Sequence, residues 1–330
     1  VTGGLGALGL ETARWLAGQG ARHLVLTGRK GAATAAARQA VEKLERDGVT
    51  VLVSKTDVSV PGQVAAMMGE IRSSMPPLKG VIHAAGILMD GMLQEQTWEH
   101  FETVLAPKVG GGWNLYHETR GDELDFFVSF SSISSVLGSA GQGNYAAANA
   151  FLDGLALHMQ REGRAGLSVN WGPWSEVGMA AELSRRDQAR WAAAGIGMIE
   201  TQPGMDLLGS QLSTHGQIVA VPVDWSRLLS NLSQAPLFRE LQAEAGLSGD
   251  QKSELLETLE TTAPEKQREV LFDYVTGEVA KVLGLEDKEE LHAETGFFEM
   301  GIDSLTAVEL RNRLQVALGQ ILPTTLIFNY

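Results

Sequence analysis

The stretch Val1-Thr2-Gly3-Gly4-Leu5-Gly6-Ala7-Leu8-Gly9 decides how the rest of the chain reads. Glycines stand at 3, 6 and 9, Val1 reads as the last residue of a strand, and a helical pattern follows over Leu8–Gly20. Glycines placed in this way let a backbone approach a pyrophosphate at the positively polarised start of a helix. Ordinary tight turns carry the same residues, so the context must separate the two. An apolar run at His23–Thr27 comes next, and the rhythm then repeats. Runs at Thr50–Val53, Gly80–His83, Phe126–Phe130, Leu167–Asn170 and Ile218–Val221 alternate with helical patterns at Ala32–Asp47, Gly62–Ser73, Trp98–Glu118 and Asn144–Arg161. Strands alternating with helices specify parallel βαβ units, so an α/β fold with a doubly wound parallel sheet is expected. The runs are apolar almost throughout, as strands covered on both faces are.

A strand before such a turn usually has roughly four to six residues. The far end, Pro323–Tyr330, stops in what reads as a short helix. Both ends therefore read as cut from a longer polypeptide. The 330 residues correspond to roughly two domains. With 44% hydrophobic and 20% charged residues, the chain can bury a core, and wholesale disorder is excluded. The absence of cysteine excludes disulfide scaffolds, thiolate metal sites and cysteine nucleophiles, and no metal site is read elsewhere. A net charge of −14 speaks against binding a nucleic-acid backbone. No apolar run reaches the roughly 18 residues of a membrane span. The chain reads as soluble and cytoplasmic, with neither nucleic acid nor membrane as a partner.

The alternation extends over residues 1–225, which read as one dinucleotide-binding domain of Rossmann type. Ser175–Ile199 interrupts it and is expected to be a mobile lid over a ligand. Residues 226–264 read as a partly helical linker closed by Pro264. From 265 to 330 the chain carries 12 acidic and 6 basic residues and reads as a small all-α bundle. Within it Glu265–Leu283 is an amphipathic helix with Val270, Tyr274, Val275, Val279 and Val282 on one face, and Ser304–Leu318 is a second.

Candidate binding residues follow from the strand ends. Thr2, Gly3, Gly4, Leu5, Gly6 and Gly9 form the phosphate turn. An NAD site usually places an acid at the end of the second strand, and this chain has Thr27-Gly28-Arg29-Lys30 there. A guanidinium suits a 2′-phosphate, so Arg29 favours NADPH over NADH; the alternative is a pair of solvated surface cations. Asp57-Val58 is read as closing the strand that begins at Thr50, facing the adenine. Ala84-Ala85-Gly86 follows the strand ending at His83, where small residues admit a ribose. Ser132 ends the strand Phe126–Phe130, and Tyr145 opens a helix thirteen residues later. A serine hydroxyl can hold a carbonyl oxygen while a phenol protonates it. A free phenol titrates at about 10, and a nearby ammonium lowers that value.

These residues resemble the short-chain dehydrogenase/reductase superfamily. Most members carry Tyr-x-x-x-Lys. Here Tyr145-Ala146-Ala147-Ala148-Asn149 has Asn in the Lys place, and Lys108 stands in the preceding helix where most members keep Asn. One reading is loss of activity. The other is the Lys/Asn exchange of ketoreductase domains in modular polyketide synthases, which Gly138–Asp153, Asn170-Trp171-Gly172-Pro173-Trp174 and Val223-Asp224-Trp225 closely resemble. The resemblance implies a catalytic tetrad of Ser132, Tyr145, Lys108 and Asn149. It also implies a stereochemistry. Leu88-Met89-Asp90 stands where B-type ketoreductases have Leu-Asp-Asp, and Leu137 stands where A-type members have Trp. Asp90 is therefore expected to direct a B-type, D-configured alcohol; the alternative is that it caps the helix after it. The N-terminal structural subdomain usual in these ketoreductases is not among the 330 residues; it is expected either to lie before residue 1 or to be replaced by something outside this chain.

Gly296-Phe297-Phe298-Glu299-Met300-Gly301-Ile302-Asp303-Ser304-Leu305 has a bland reading, in which Asp303 and Ser304 start a helix. It also resembles acyl carrier protein domains, as do Thr306–Leu314 and Pro323–Phe328. That resemblance implies a 4′-phosphopantetheine arm on Ser304, attached by a phosphopantetheinyl transferase, in a carrier domain lacking its final helix. Its acidity suits basic partner surfaces. The two resemblances together imply NADPH-dependent reduction of a β-ketoacyl thioester carried on Ser304 to a β-hydroxyacyl thioester. Tethering raises the effective substrate concentration, to roughly the millimolar range. Partners would be other synthase domains: ketosynthase, acyltransferase and, where present, dehydratase. Two other readings stand beside it, a reductase-inactive scaffold serving as carrier and docking module, and a free-standing reductase of small carbonyl compounds.

Overall fold

The computed structural model describes residues 1–178, 188, 191–231, 236–244, 254–283, 285, 296–297, 300, 302, 304–320 and 322–323. The chain divides into two compact units, Val1–Glu182 with Met198–Val221, and Leu183–Gly197 with Pro222–Tyr330.

The first unit contains six strands: β1 His23–Thr27, β2 Thr50–Ser54, β3 Gly80–His83, β4 Phe126–Ser132, β5 Leu167–Trp171 and β6 Gly216–Ala220. All pair in parallel, β1 with β2, and β3 through β6 in chain order. Val1 and Thr2 join the two sets. Thr27 N donates to Val1 O (3.0 Å) and Gly4 N to Thr27 O (3.1 Å), while Thr2 N donates to Ile82 O (2.9 Å) and Ala84 N to Thr2 O (3.1 Å). The chain winds away from this seam in both directions, which opens a crevice at the carboxyl ends of the strands.

Helices cover both faces: α1 Ala7–Gly18, α2 Ala35–Arg46, α3 Pro61–Ser74, α4 Trp98–Leu105, α5 Gly111–Glu118, α6 Ser134–Leu137, α7 Gly143–Arg161 and α8 Thr201–Gln211. One core packs Val64, Met68, Leu115 and Met159 onto Phe127. The other packs Met205 and Leu208 onto Phe130, Val169 and Trp171. Every residue of β5 is buried: Leu167, Val169 and Trp171 alternate into one core, while Ser168 and Asn170 turn to the other face and bond Asp153 of α7. Each fully buried large side chain contributes roughly 1.5–3 kcal/mol.

The strands predicted at His23–Thr27 and Gly80–His83 are found there. β4 runs two residues past its predicted end, because Ser131 and Ser132 pair with Asn170 and Trp171. β2 ends at Ser54, so Asp57 does not close a strand and sits in the turn after it. The single helix expected at Trp98–Glu118 is interrupted by a π-turn at Ala106–Gly110. Helix α8 was not expected, since Pro203 and Gly204 stand in its first turn. Proline is tolerated there, and Gly204 lies where any Cβ would strike the Trp174 ring. Much of the expected lid lies outside the described residues. Its ends are pinned, with Trp174 bridged to Ile199 and Ser175 N donating to Ile199 O (2.9 Å).

A cavity of about 740 Å³ lies between β1 and β3 on the amino side of the strands, lined in part by Val1, Leu24, Val25, Ile82 and Phe126. It is not at the crevice end of the sheet. In the second unit, the segment read as a linker holds α9 Trp225–Asn231, a 3₁₀ turn at Pro236–Phe238, α10 Arg239–Glu244 and α11 Glu254–Thr261. Then α12 Pro264–Leu283 and α13 Ser304–Leu318 pack together through Val279, Val282, Ile302, Leu310 and Leu314. No described helix is long and apolar enough to cross a membrane.

Two glycine substitutions test this packing in opposite directions. At Gly9 a Cβ would fall 2.6 Å from Gly4 Cα and still closer to Gly3 O, so Gly9→Ala should cost about 1–3 kcal/mol. Gly154 lies within α7 with open space around its Cα, so Gly154→Ala should stabilise by up to about 1 kcal/mol. Denaturant unfolding of both variants measures the two signs.

Candidate functional site

The cradle at the start of α1 is built by close backbone approach. Gly3 has φ +65°, and a Cβ there would lie 2.8 Å from Ala84 O. A Cβ on Gly4 would lie 2.6 Å from Val1 O. Gly6 meets only Gly3 O, at 3.3 Å, and is otherwise open. Gly6 is also the N-cap of α1; no side chain caps the helix and its first turn holds no acid. Its leading N–H groups therefore remain available to an anion. Thr2 is fixed by its hydroxyl against His83 Nδ1 (2.6 Å). Leu5 is half-buried beside the turn. Arg29 and Lys30, just beyond β1, are exposed. A cradle that only glycine fits, an uncapped helix start and two cations at the next strand end suit a phosphorylated dinucleotide.

Asp57 is placed differently from the expectation. Its Oδ1 accepts from Ser59 N (3.0 Å) and Ser59 Oγ (2.7 Å), so it closes its own turn. Val58 is buried in the core under α5, where its carbonyl accepts from Asn114 Nδ2 (2.9 Å). Ala84, Ala85 and Gly86 follow β3, and Ala84 N bonds Thr2 O. A Cβ on Gly86 would lie 3.0 Å from Lys108 Cε.

Ser132, Tyr145, Lys108 and Asn149 come together at the carboxyl end of β4. Tyr145 sits in the first turn of α7, 9% exposed, in hydrogen-bonding reach of Ser132 and Asn149. Lys108 comes from the π-turn, with Nζ donating to Phe130 O (2.9 Å) and lying 5.5 Å from the Tyr145 ring centroid. Asn149, fully buried, donates to Tyr145 O (2.8 Å) while its Oδ1 has no partner. Burial holds the Lys108 ammonium down to about 8, against a smaller upward pull from Asp153. Burial also pushes the Tyr145 phenol up, opposed in part by the polar side chains of Asn149 and Ser132 beside it. The ammonium was expected to lower the phenol. In this geometry it stands over the ring and is committed to a carbonyl, so desolvation dominates.

Leu88-Met89-Asp90 runs as irregular chain beside this group. Asp90 accepts from Gln142 Nε2 (2.9 Å), and partial burial raises its carboxyl. It caps no helix; the next helix, α4, is capped by Thr97. Asn144 ties the segment to α7, donating to Met89 O (2.8 Å) and accepting from Tyr145 N (2.7 Å). Two further side chains carry the site that the sequence reading did not assign, Asp153 and Asn170. Asp153 interrupts the apolar run of α7 eight residues past Tyr145, which was the available signal. In the second unit α13 begins at Ser304; Asp303 lies outside the described residues.

Residues 1–176 match the KR domain family, and residues 273–330 match the phosphopantetheine attachment site family. The chain is 41% identical, over its whole length and 16% of the relative's, to a phenolphthiocerol synthesis polyketide synthase type I, Pks15/1, of Mycobacterium marinum. It is 39% identical to Pks1 of Mycobacterium tuberculosis, over its whole length and 21% of the relative's, a protein whose name provisionally marks it inactive. The chain thus spans about a fifth or less of these relatives. Among solved structures, an A-type ketoreductase from a modular polyketide synthase aligns with TM-score 0.66 and 34% identity over 72% of this chain and 49% of that one. PlmKR1, the ketoreductase of the first phoslactomycin module from Streptomyces sp. HK803, aligns at 0.67 and 33% over 72% and 56%.

The raised Tyr145 phenol has a direct readout. Because folding raises this pKa, the neutral phenol is favoured up to about pH 10, and its contribution to stability is lost as pH climbs beyond that. In an ultraviolet titration, Tyr145→Phe should remove a phenol that ionises late. Loss of an early-ionising phenol instead would contradict the burial.

Proposed function

The chain belongs to the KR domain family, and on that premise we propose that residues 1–225 reduce a β-ketoacyl thioester to a β-hydroxyacyl thioester with NADPH. The substrate is carried on a 4′-phosphopantetheine arm at Ser304 of the carrier module, residues 265–330, with 226–264 between them. The convergence of Ser132, Tyr145, Lys108 and Asn149 on one strand end carries this reading.

NADPH, when bound, supplies the hydride that the β-carbon gains. Thr2, Gly3, Gly4, Leu5, Gly6 and Gly9 would hold its pyrophosphate, Arg29 its 2′-phosphate, and Ala84, Ala85 and Gly86 its ribose. Ser132 holds the ketone oxygen. Tyr145, neutral because it is buried, gives its proton to that oxygen. Lys108 stabilises the phenolate left behind and binds ribose. Asn149 turns its unpartnered Oδ1 toward a water or a backbone group. Carbon thus gains the hydride, oxygen gains the proton, and one alcohol results. Preorganised groups of this kind account for roughly 10²–10⁴-fold in proton transfer.

We read the product as B-type, with a D-configured hydroxyl. Asp90 and Leu137 support that reading, and Met89 departs from the B-type pattern. The natural partners would be a phosphopantetheinyl transferase and other domains of a polyketide synthase. The opposing reading, a reductase-inactive scaffold, draws on the name of the M. tuberculosis relative. All four tetrad positions and the glycine cradle are kept here, which favours activity.

Loss of NADPH absorbance with a short β-ketoacyl thioester of a pantetheine mimic tests the proposal. Turnover should fall by at least about 10²-fold in Tyr145→Phe, and the product should be the D alcohol. The rate constant kcat/KM should hold below pH 8 and fall above it, as the Lys108 ammonium (pKa about 8) loses its proton. No turnover together with no NADPH binding would leave the scaffold reading.

A further inference from the structure

Behind the tetrad lies a buried carboxylate that the mechanism above does not use. Asp153 is on α7, two turns past Tyr145 and 7% exposed. Its oxygens accept from Ser135 Oγ (2.7 Å), Ser168 Oγ (2.6 Å) and Asn170 Nδ2 (2.9 and 3.0 Å). No described cation lies within ion-pair distance of it. A carboxylate in that setting is costly unless its hydrogen bonds are complete, and here three donors from two elements, α6 and β5, supply them.

These donors lead to Ser132. Asn170 Nδ2 also stands 3.1 Å from Ser131 Oγ and 3.2 Å from Ser132 O, and its Oδ1 has no partner. The amide is therefore held through its Nδ2 alone, which joins the Asp153 carboxylate to Ser135 Oγ (2.7 Å) and to the Ser131–Ser132 strand end. Ser135 lies in the short α6 directly after Ser132, and Ser134 N donates to Ser132 Oγ (3.2 Å). Asp153 thus holds both sides of the turn that carries the Ser132 hydroxyl. Its charge also acts on Lys108, raising that group's pKa against burial. The other titratable groups near Lys108 are Tyr145, neutral, and His83, which burial and Lys108 itself depress to about 3. Asp90 acts on Tyr145 from the far side. Asp153 is the sole anion acting directly on Lys108 among the described residues.

We propose that Asp153 is a positioning residue for the reduction, anchoring the Ser132 turn through Ser135 and Asn170 and serving as the counter-charge of Lys108. This rests on the reading of Ser132, Tyr145 and Lys108 given above.

Asp153→Asn keeps the shape and removes the charge, and Ser135→Ala keeps the charge and cuts one link to the turn. In Asp153→Asn, kcat should fall at least 10-fold with NADPH affinity within about twofold, and the alkaline limb of kcat/KM should move down by half a pH unit or more. In Ser135→Ala, kcat should fall several-fold with the limb in place. Independently of turnover, the Lys108 ¹³Cε resonance, assigned by its absence in Lys108→Met, should titrate at lower pH in Asp153→Asn. If Asp153→Asn cannot be folded, Asp153→Glu, which keeps the charge but displaces the carboxylate, should hold the Lys108 midpoint and lose kcat. A lower melting temperature with kcat, limb and Lys108 midpoint unchanged would make Asp153 merely structural and overturn the proposal. Turnover that survives Tyr145→Phe would overturn the parent reading instead, while the lysine titration would still judge Asp153.

Discussion

Four backbone hydrogen bonds at Val1, Thr2 and Gly4 join a two-stranded sheet to a four-stranded one. The site depends on that seam. Thr2 lies between Thr27 and His83, so the glycine turn leaves the sheet exactly where strand order reverses. At such a point neighbouring helices pack on opposite faces, and the crevice between them cannot be filled by either. The glycines follow from this. Gly3 touches the backbone of Ala84 after β3, and Gly9 packs against the turn itself. Side chains at these positions would push α1 away from the sheet and close the cradle from within.

The chemistry depends on charges kept dry. Lys108 and Asp153 are both buried, and neither is paired in contact with the other. Each is satisfied by neutral groups, the lysine by the Phe130 carbonyl and the aspartate by two hydroxyls and an amide. The attraction between them therefore acts at a distance, where a low local dielectric preserves it. A contact ion pair would hold Lys108 away from Tyr145. Separation leaves the ammonium over the phenol ring, with Asp153 offsetting part of the cost of its burial.

The fold was legible in the sequence because apolar strands and glycine punctuation are local signals. His23–Thr27 and Gly80–His83 needed nothing beyond their own residues. Other parts needed partners. Thr201–Gln211 looks like a poor helix until Trp174 is placed against Gly204. Asp57 reads as closing its strand until β2 is seen to end at Ser54 and Ser59 to bond Oδ1 in the turn beyond. Tyr145, Ser132 and Lys108 were legible through their spacing and resemblance. The direction of the phenol's shift was not, since it depends on whether the nearest ammonium faces the hydroxyl or the ring. Asp153 was visible only as a polar residue on an apolar helix face, and its meaning required Ser135, Ser168 and Asn170, which converge on it from α6 and β5.

The exchange of Lys and Asn between two helices has a physical consequence in this chain. A lysine four residues after Tyr145 would rise from α7, an ordinary helix. Lys108 instead rises from Ala106-Pro107-Lys108-Val109-Gly110, whose helix ladder is widened so that Gly111 N reaches back to Ala106 O. Pro107 cannot donate to the ladder and crowds the preceding turn, and such π-insertions gather at functional positions. The glycines that follow are then required. A Cβ on Gly111 would come 2.7 Å from Val58 Cγ2, and one on Gly112 would come 2.9 Å from Leu152 Cδ2. By propensity, one proline and three glycines in seven residues make a poor helix, with losses of about 3 and 1 kcal/mol each. The segment stays helical because its bulged geometry presses α5 onto the sheet and delivers Lys108 to the end of β4. Gly86 on the opposite wall completes the fit, since a Cβ there would crowd the lysine stem. The lysine's new origin is thus matched by the residues on either side of it, and Asn149 is left on α7 with a free carbonyl oxygen in the place the lysine would have filled.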